Sequence, residues 1–513
     1  MIRIGVDVGG TNTDAVVLNG AEVIAGAKRP TTADVHSGVK AAVAAAMETS
    51  AIAAAQVDAV MVGTTHFVNA LVERRRLAPT GLIRLCLPSG GSLKPFADWP
   101  ADLIAAMHLD YRLADGGCEM DGREIAPLNP AQILAAVREL RAGGCTELAI
   151  SAVFATIRGD AEREAAALIA KEFPDMAITL SQDIGRIGLL ERENAATINA
   201  ALRPLAREVV DAFGSIRAAL GLNCPLFFTA NDGTLIDSAD VAHLPVLTFA
   251  CGPTNSMRGA AYLSGVKHAL VIDVGGTTTD VGEVRDGFPR LAGTSVEVVD
   301  VRTNFSMPDV ISVGLGGGSL VKTAVPAVGP ESVGRELITK GIVFGGDVLT
   351  ASDIVVAAGR AKMGSHPPPE VAGLDGYTRF IDQIVTDAVA RSRTSGEAMP
   401  VLAVGGGSVM LADRVDGLEV IRPPHFDLAN AVGAAIAQIS GEVSKIVPVS
   451  AGLTREEAIE QVTEEARAIA IGRGADPASL LVLSKSDVPL SYLPGNNLSI
   501  SVTVVGDLKL EAR

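Results

Sequence analysis

The phrase Asp-Val-Gly-Gly-Thr-Asn-Thr-Asp at Asp7–Asp14 returns at Asp273–Asp280 with a single change, Asn12 to Thr278. In both places an apolar run leads in ("IRIGV", "ALVI") and another leads out ("AVVL", "VGEV"). Each copy reads as strand, tight turn, strand. Many sequences satisfy turn geometry, so it does not demand Thr11, Thr13, Thr277 and Thr279 at matching places. A shared ligand held from both sides does. The chain is therefore expected to form two similar halves facing one site.

Within a copy, the glycines allow positive φ and let an anion approach the backbone. Amide hydrogens and threonine hydroxyls are donors for phosphate oxygens. The expected cradle is Gly9, Gly10, Thr11, Asn12 and Thr13 on one side, with Gly275, Gly276, Thr277 and Thr278 on the other. Asp7 and Asp273, at the strand ends, are expected to orient a magnesium ion, usually through water, rather than merely cap a turn. Asp14 and Asp280 either position water or metal or cap the hairpin. This is not the P-loop, because a strand follows the turn and no Gly-Lys pair occurs in the chain. Nor is it the dinucleotide fingerprint, since "GLGGGS" at 314–319 lacks the last glycine.

Two hairpins pinching a triphosphate, with a later Gly-rich turn for the nucleoside, describe an α/β, two-lobed, actin-like and sugar-kinase-like ATPase of ribonuclease H type. "AVGGGSVM" supplies that later turn through Gly405, Gly406 and Gly407, where a plain strand-to-helix turn is the competing reading. Gly316 and Gly317 belong to a further Gly-rich loop. The small-residue stretch 425–443 is read as a hinge helix. Strands and helices alternate through the rest, with helices at about 34–48, 66–76, 130–142 and 159–172. The segment 88–128 reads as an irregular insertion. Pro204 is expected to kink or divide a helix over 190–219. The expected domains are 1–189 with the first hairpin, 190–445 with the second hairpin and the adenosine loop, and 446–513 as a helix-and-strand extension.

Composition narrows the function. The chain has 513 residues, 48% of them hydrophobic, and a net charge of −16. That charge argues against a nucleic-acid surface. Five cysteines are scattered without a CxxC, so neither a zinc site nor a disulfide framework is indicated, which fits a cytoplasmic protein. The chain opens on a strand-like run, so no signal peptide is expected, and no membrane span is either. There is no HExxH and no Gly-x-Ser-x-Gly. His66, after "GTT", reads as a base or ligand near a substrate, or as a packing residue. Asn69, Asn194 and Asn231 read as substrate-amide contacts or as caps.

The combination of "VDVGGTNTDAVV", "VGTTHFVNALVERR" at 62–75, "ERENAATINAALRP" at 191–204, "IDVGGTTTDVGEV" and Gly-Gly-Gly-Ser at 316–319 resembles the hydantoinase/oxoprolinase family, in particular its N-methylhydantoinase A type subunit. The chain carries "GPTNS" at 252–256 where that family often has Gly-Pro-Ala-Gly-Gly. The resemblance implies ATP and Mg2+ as cofactors and ATP-dependent opening of a cyclic amide such as a hydantoin, oxoproline or lactam. The amide oxygen is phosphorylated and water then opens the ring. It also implies a second hydantoinase-type subunit or a homo- or hetero-oligomer as partner. A small-molecule kinase, or an ATPase that activates a partner enzyme, shares the same ATP-site residues and competes with this reading.

Overall fold

The computed structural model describes residues 1–32, 35–293, 295–323, 326–449, 452–491 and 496–509. Position 34, the expected start of the first helix, and the end at 510–513 lie outside them; the helix runs Val35–Ser50.

The repeated phrase forms two antiparallel hairpins with identical registers. Ile2–Val8 pairs with Asn12–Asn19, placing Asp7 opposite Asp14. Ala269–Val274 pairs with Thr279–Arg285, placing Asp273 opposite Asp280. The surroundings repeat too. In the first half, Ala59–Thr64 runs parallel to Ile2–Val8, and Leu226–Thr229 runs parallel to Ala59–Thr64. In the second, Val401–Val404 runs parallel to Ala269–Val274, and Leu418–Ile421 follows it. A further antiparallel strand flanks each hairpin, Glu22–Pro30 in one and Val310–Val313 in the other. The inner strands are buried on both faces, which is why they read as unbroken apolar runs rather than alternating ones.

Each half is thus an α/β sheet of the expected class, but sheet membership does not change at residue 190. Strands Leu226–Thr229 and Thr234–Asp237 join the first sheet, as do Gln438–Val449, Asn496–Gly506 and Leu481–Pro489. The stretch expected as an extension, 446–513, therefore continues a sheet begun at residue 2. Helix Arg455–Gly472 covers that edge and buries Ala458, Val462, Ala466 and Ala470.

A four-stranded parallel sheet is inserted between Ala59–Thr64 and Leu226–Thr229. Its order is Asp110–Asp115, Thr80–Leu87, Glu147–Ala152, Ala177–Leu180. The expectation of irregular structure over 88–128 is corrected by helix Ala101–Ala106 and strand Asp110–Asp115. "DYRLAD" becomes a strand only by pairing with Thr80–Leu87, a non-local partner that local patterning does not show.

Two further expectations change. Leu189–Ala219 is one helix, so Pro204 does not divide it. The proline removes a backbone donor, and the amide of Ala78 bonds the nearby Ala201 carbonyl at 2.9 Å. Most of the N-terminal half of that helix is buried, so packing holds it continuous. The helix expected over 425–443 is only Ala429–Ala435, after a short 3-10 turn at Phe426–Leu428. From Gln438 the chain is strand, where Ile439 and Val443 pair with the C-terminal strand. Short apolar runs do not distinguish the two periods.

Candidate active site

The site is built at the carboxyl ends of the inner strands, the edge at which open α/β sheets bind ligands. Each turn closes itself with one bond, Gly9 amide to Asn12 carbonyl at 3.0 Å and Gly275 amide to Thr278 carbonyl at 2.9 Å. The next two amides of each turn, those of Gly10, Thr11, Gly276 and Thr277, have no acceptor among the described residues. The turns face each other. A Cβ on Gly276 would stand 2.8 Å from Thr11 Oγ1, so the repeated glycine is where the two halves meet. Two pairs of unused amides, a free threonine side on each hairpin and a gap narrow enough to exclude a Cβ form a cradle for an anion.

The other expected cradle residues divide. Asn12 and Thr278 close the turns through their carbonyls. Thr13 already lies in the ladder opposite Val8; it is buried and its hydroxyl is 3.2 Å from that of Thr31. Its counterpart Thr279 donates to the Leu315 carbonyl at 2.6 Å. These two brace the hairpins instead of lining the gap. Gly316 and Gly317 also have their amides engaged, with Ser319 Oγ at 2.9 Å and the Gly275 carbonyl at 3.1 Å. Their loop lies against the second turn, where a Cβ on Gly316 would be 2.5 Å from the Thr277 nitrogen. It supports the turn from behind.

The loop at Gly405–Gly407 touches the second hairpin directly. Gly405 has φ +81, and a Cβ there would be 2.2 Å from Asp273 Oδ1, so only glycine fits. Gly407 donates to the Val274 carbonyl at 2.8 Å. Gly406, between them, is exposed with open space beside its Cα.

Four carboxyls converge on this edge. Burial, with Asp14 and then Asp273 beside it, pushes the Asp7 carboxyl up to about 7. Burial likewise lifts Asp280 to about 6. Asp14 is raised by burial against the pull of Lys28, whose Nζ is 2.5 Å from Oδ2; its buried Oδ1 has no partner. Asp273 is raised by burial and opposed by hydrogen bonds from Ser256 and Asn430. Among the described residues no three Asp, Glu, His or Cys groups form a metal cage. The donor set suits an ion held mainly by phosphate and water with one or two carboxylates, which is how magnesium binds.

His66 begins helix His66–Val72, just past the strand end beside Val8. Its Nδ1 hydrogen-bonds Thr64 Oγ1, and burial followed by Arg76 pushes its pKa down to about 4. The imidazole is neutral at working pH. Asn231 and Asn194 are structural. Asn231 bridges the Val246 carbonyl and the Ala250 amide, and Asn194 binds Trp99 Nε1 and the Arg302 carbonyl. Asn69, on the exposed face of its helix, reaches Thr65 Oγ1 at 3.3 Å.

The sequence did not reveal the buried charges that tie the inserted sheet to the long helix Leu189–Ala219. The "ERENAA" segment buries an ion pair in which Arg84 Nε and Nη2 meet both oxygens of Glu193 at 2.7 and 2.6 Å. Next to it, Glu162 accepts from Ser181 and from the amides of Ala152 and Gln182, while Arg192 binds Ser181 and the Ala152 carbonyl. The presence of Arg and Glu inside an otherwise apolar helical pattern was the available signal.

Comparison with known proteins agrees with this architecture. The hydantoinase/oxoprolinase N-terminal region profile matches residues 3–173 and the hydantoinase/oxoprolinase profile matches residues 192–391. The chain belongs to the hydantoinase/oxoprolinase family. It is 26% identical over 490 residues to the caprolactamase subunit alpha of Pseudomonas jessenii, covering 88% of this chain and 69% of that protein. It is 27% identical over 391 residues to the acetophenone carboxylase gamma subunit of Aromatoleum aromaticum, covering 69% of this chain and 53% of that protein. The crystal structure of the ATP-dependent caprolactamase from P. jessenii shares its fold, with a TM-score of 0.76 at 18% identity over 99% of this chain and 88% of the other. No helix among the described residues is long and apolar enough to cross a membrane.

Proposed function

We propose that this chain opens a cyclic amide at the expense of ATP, as one subunit of a larger assembly. The observation that carries the reading is the pair of facing turns with four unused amides and an aspartate behind each, Asp7 buried and Asp273 half-buried. The relatives named as an ATP-dependent caprolactamase and its alpha subunit supply the reaction type. That other relatives are named as subunits supports an assembly.

An unstrained amide carbonyl is a poor electrophile; transfer of a phosphoryl group to its oxygen makes the carbon electrophilic enough for water to add, the ring C–N bond then breaks as the nitrogen takes a proton, and a second water hydrolyses the resulting acyl phosphate to the ring-opened acid and phosphate. The amides of Gly10, Thr11, Gly276 and Thr277 bind the transferring phosphates and stabilise the charge that develops on them. Asp7 and Asp273 would hold magnesium, which neutralises phosphate charge when bound. Gly405–Gly407 would receive the adenosine. Neutral His66, two residues past the Thr64 that pairs with Val8, would accept a proton from attacking water.

The cyclic substrate would enter a cleft of about 930 Å³ that opens where strand Leu226–Thr229 ends, along Ala230–Asp232. Apolar Ile184, Ile236 and Leu247 line one part of it, and Arg186 with Glu442 another. The test is ADP release with magnesium across hydantoins, oxoproline, lactams and polyols, with products identified by mass. Ring-opened acid with stoichiometric ADP is expected. A stable phosphorylated product would make the protein a small-molecule kinase instead. Turnover stimulated only by another protein would make it an activating ATPase.

A further inference from the structure

Two helices cross at the seam between the sheets. A Cβ on Gly433 of helix Ala429–Ala435 would stand 1.9 Å from the Asn255 carbonyl oxygen of helix Cys251–Ser264. One on Gly259 would stand 1.9 Å from the Ala429 carbonyl oxygen. The backbones therefore touch, and at this crossing each helix turns an amide side chain toward one of the duplicated aspartates.

Asn255 is fully buried and donates through Nδ2 to Thr229 Oγ1 at 3.0 Å. Its Nδ2 and the Asp7 carboxyl also border the same space above Gly63. A Cβ on Gly63 would lie 2.4 Å from Asn255 Nδ2 and 2.8 Å from Asp7 Oδ1, so the glycine leaves room for the two groups to meet. Asn255 Oδ1 is buried with no donor among the described residues. From the other helix, Asn430 Nδ2 donates to Asp273 Oδ2 at 3.4 Å. Ser256, next to Asn255, donates to the Pro253 carbonyl at 2.9 Å and stands close enough to Asp273 to draw its carboxyl down against the effect of burial. One helix thus stands beside both aspartates, and the second helix touches one of them.

We infer that Asn255 and Asn430 are positioning residues that orient the Asp7 and Asp273 carboxylates and tie that orientation to the helix crossing between the halves. The inference rests on the reading of those aspartates as metal-facing groups. A neutral amide on one carboxylate oxygen fixes the plane of the group without cancelling its charge, as Lys or Arg would, and leaves the other oxygen for an ion or its water. A shift of one half against the other at Gly433 moves the Asn255 backbone, and with it the amide beside Asp7.

The test compares Asn255→Ala and Asn430→Ala with the conservative Asn255→Ser and Asn430→Gln. ADP binding is measured by calorimetry over a series of magnesium concentrations, beside ATP turnover and melting temperature. Each alanine variant is expected to raise the magnesium concentration needed for half-maximal ADP binding by about tenfold, the usual cost of losing a group that orients a ligand. ADP affinity without magnesium should not change, and the conservative variants should recover most of the loss. Should Asn255→Ala fail to fold, the half-buried Asn430 decides the matter. Wild-type magnesium dependence in the folded alanine variants, or a loss confined to melting temperature, overturns the inference. If Asp7→Asn and Asp273→Asn also leave magnesium dependence unchanged, the reading beneath it falls as well.

Discussion

Asp7 and Asp273 sit at equivalent places but in different company, and their substitution separates chemistry from stability. Asp7→Asn and Asp273→Asn are each expected to abolish most ATP turnover, measured by ADP release, because asparagine cannot hold the charge that faces the phosphates. Stability without nucleotide should move the other way for Asp7. Its folded-state pKa, about 7, lies above the ordinary aspartate value of 3.8, so the folded protein binds the extra proton between these values. That stabilisation is complete at low pH and is lost as pH rises from about 4 through about 7. Asp280, raised to about 6, adds to the same slope. His66, lowered to about 4, opposes it, because its contribution is lost as pH falls from 6.5 toward 4. Asp7→Asn imitates the protonated form. Its melting temperature at pH 8 is expected to equal or exceed that of the wild type, with a shallower fall between pH 5 and 8. A lower melting temperature at pH 8 would mean that the carboxylate is held charged by partners in the free protein.

The long helix Leu189–Ala219 is the element on which the first half and its inserted sheet both rest. Its Glu193 meets Arg84 of the inserted sheet with neither side chain exposed. Removing one partner leaves an uncompensated buried charge, so Arg84→Met should cost roughly 3–5 kcal/mol. Pairing it with Glu193→Leu should recover most of that, because both desolvation penalties go together. Chemical denaturation of the two variants checks this; equal destabilisation would mean that Glu162 and Arg192 carry the junction instead. The Gly-rich loop at 314–319 teaches a related lesson. Its glycines look like a ligand loop, yet the amides of Gly317 and Gly318 are spent on the Gly275 and Gly276 carbonyls of the hairpin, and that of Gly316 on Ser319 of the loop itself.

At the scale of the molecule, the two turns are complete as a cradle only together, and they belong to different sheets. A triphosphate bound by both favours the approach of the halves by its differential affinity for the closed form. The scattering radius is expected to fall when nucleotide and magnesium are added. Gly433 lies at the seam, where even a Cβ would overlap the Asn255 carbonyl, so Gly433→Ala should suffice to pry the helices apart. Reduced turnover and a larger radius are expected from this variant. An unchanged radius with full activity would mean that the turns form a rigid site and need no closure.

The duplicated phrase alone pointed to two strand–turn–strand hairpins of like build, one in each half, and both are present. Those features depend on residues close together in sequence, where strand period and turn chemistry act. The inner strands were legible for the same reason. Tertiary structure alone decided which sheet each later strand would join, since pairing Gln438–Val449 with Thr234–Asp237 is a contact between distant residues. It turned half of an expected hinge helix into a strand by giving Ile439 and Val443 a partner to pair with. It also decided which glycines and threonines face the gap and which are spent on packing, because that depends on where every other donor and acceptor finds its match. Most of all it brought Asn255, Ser256 and Asn430 to Asp7 and Asp273. No pattern along the chain connects these residues; only the crossing of two helices at Gly433 and Gly259 does.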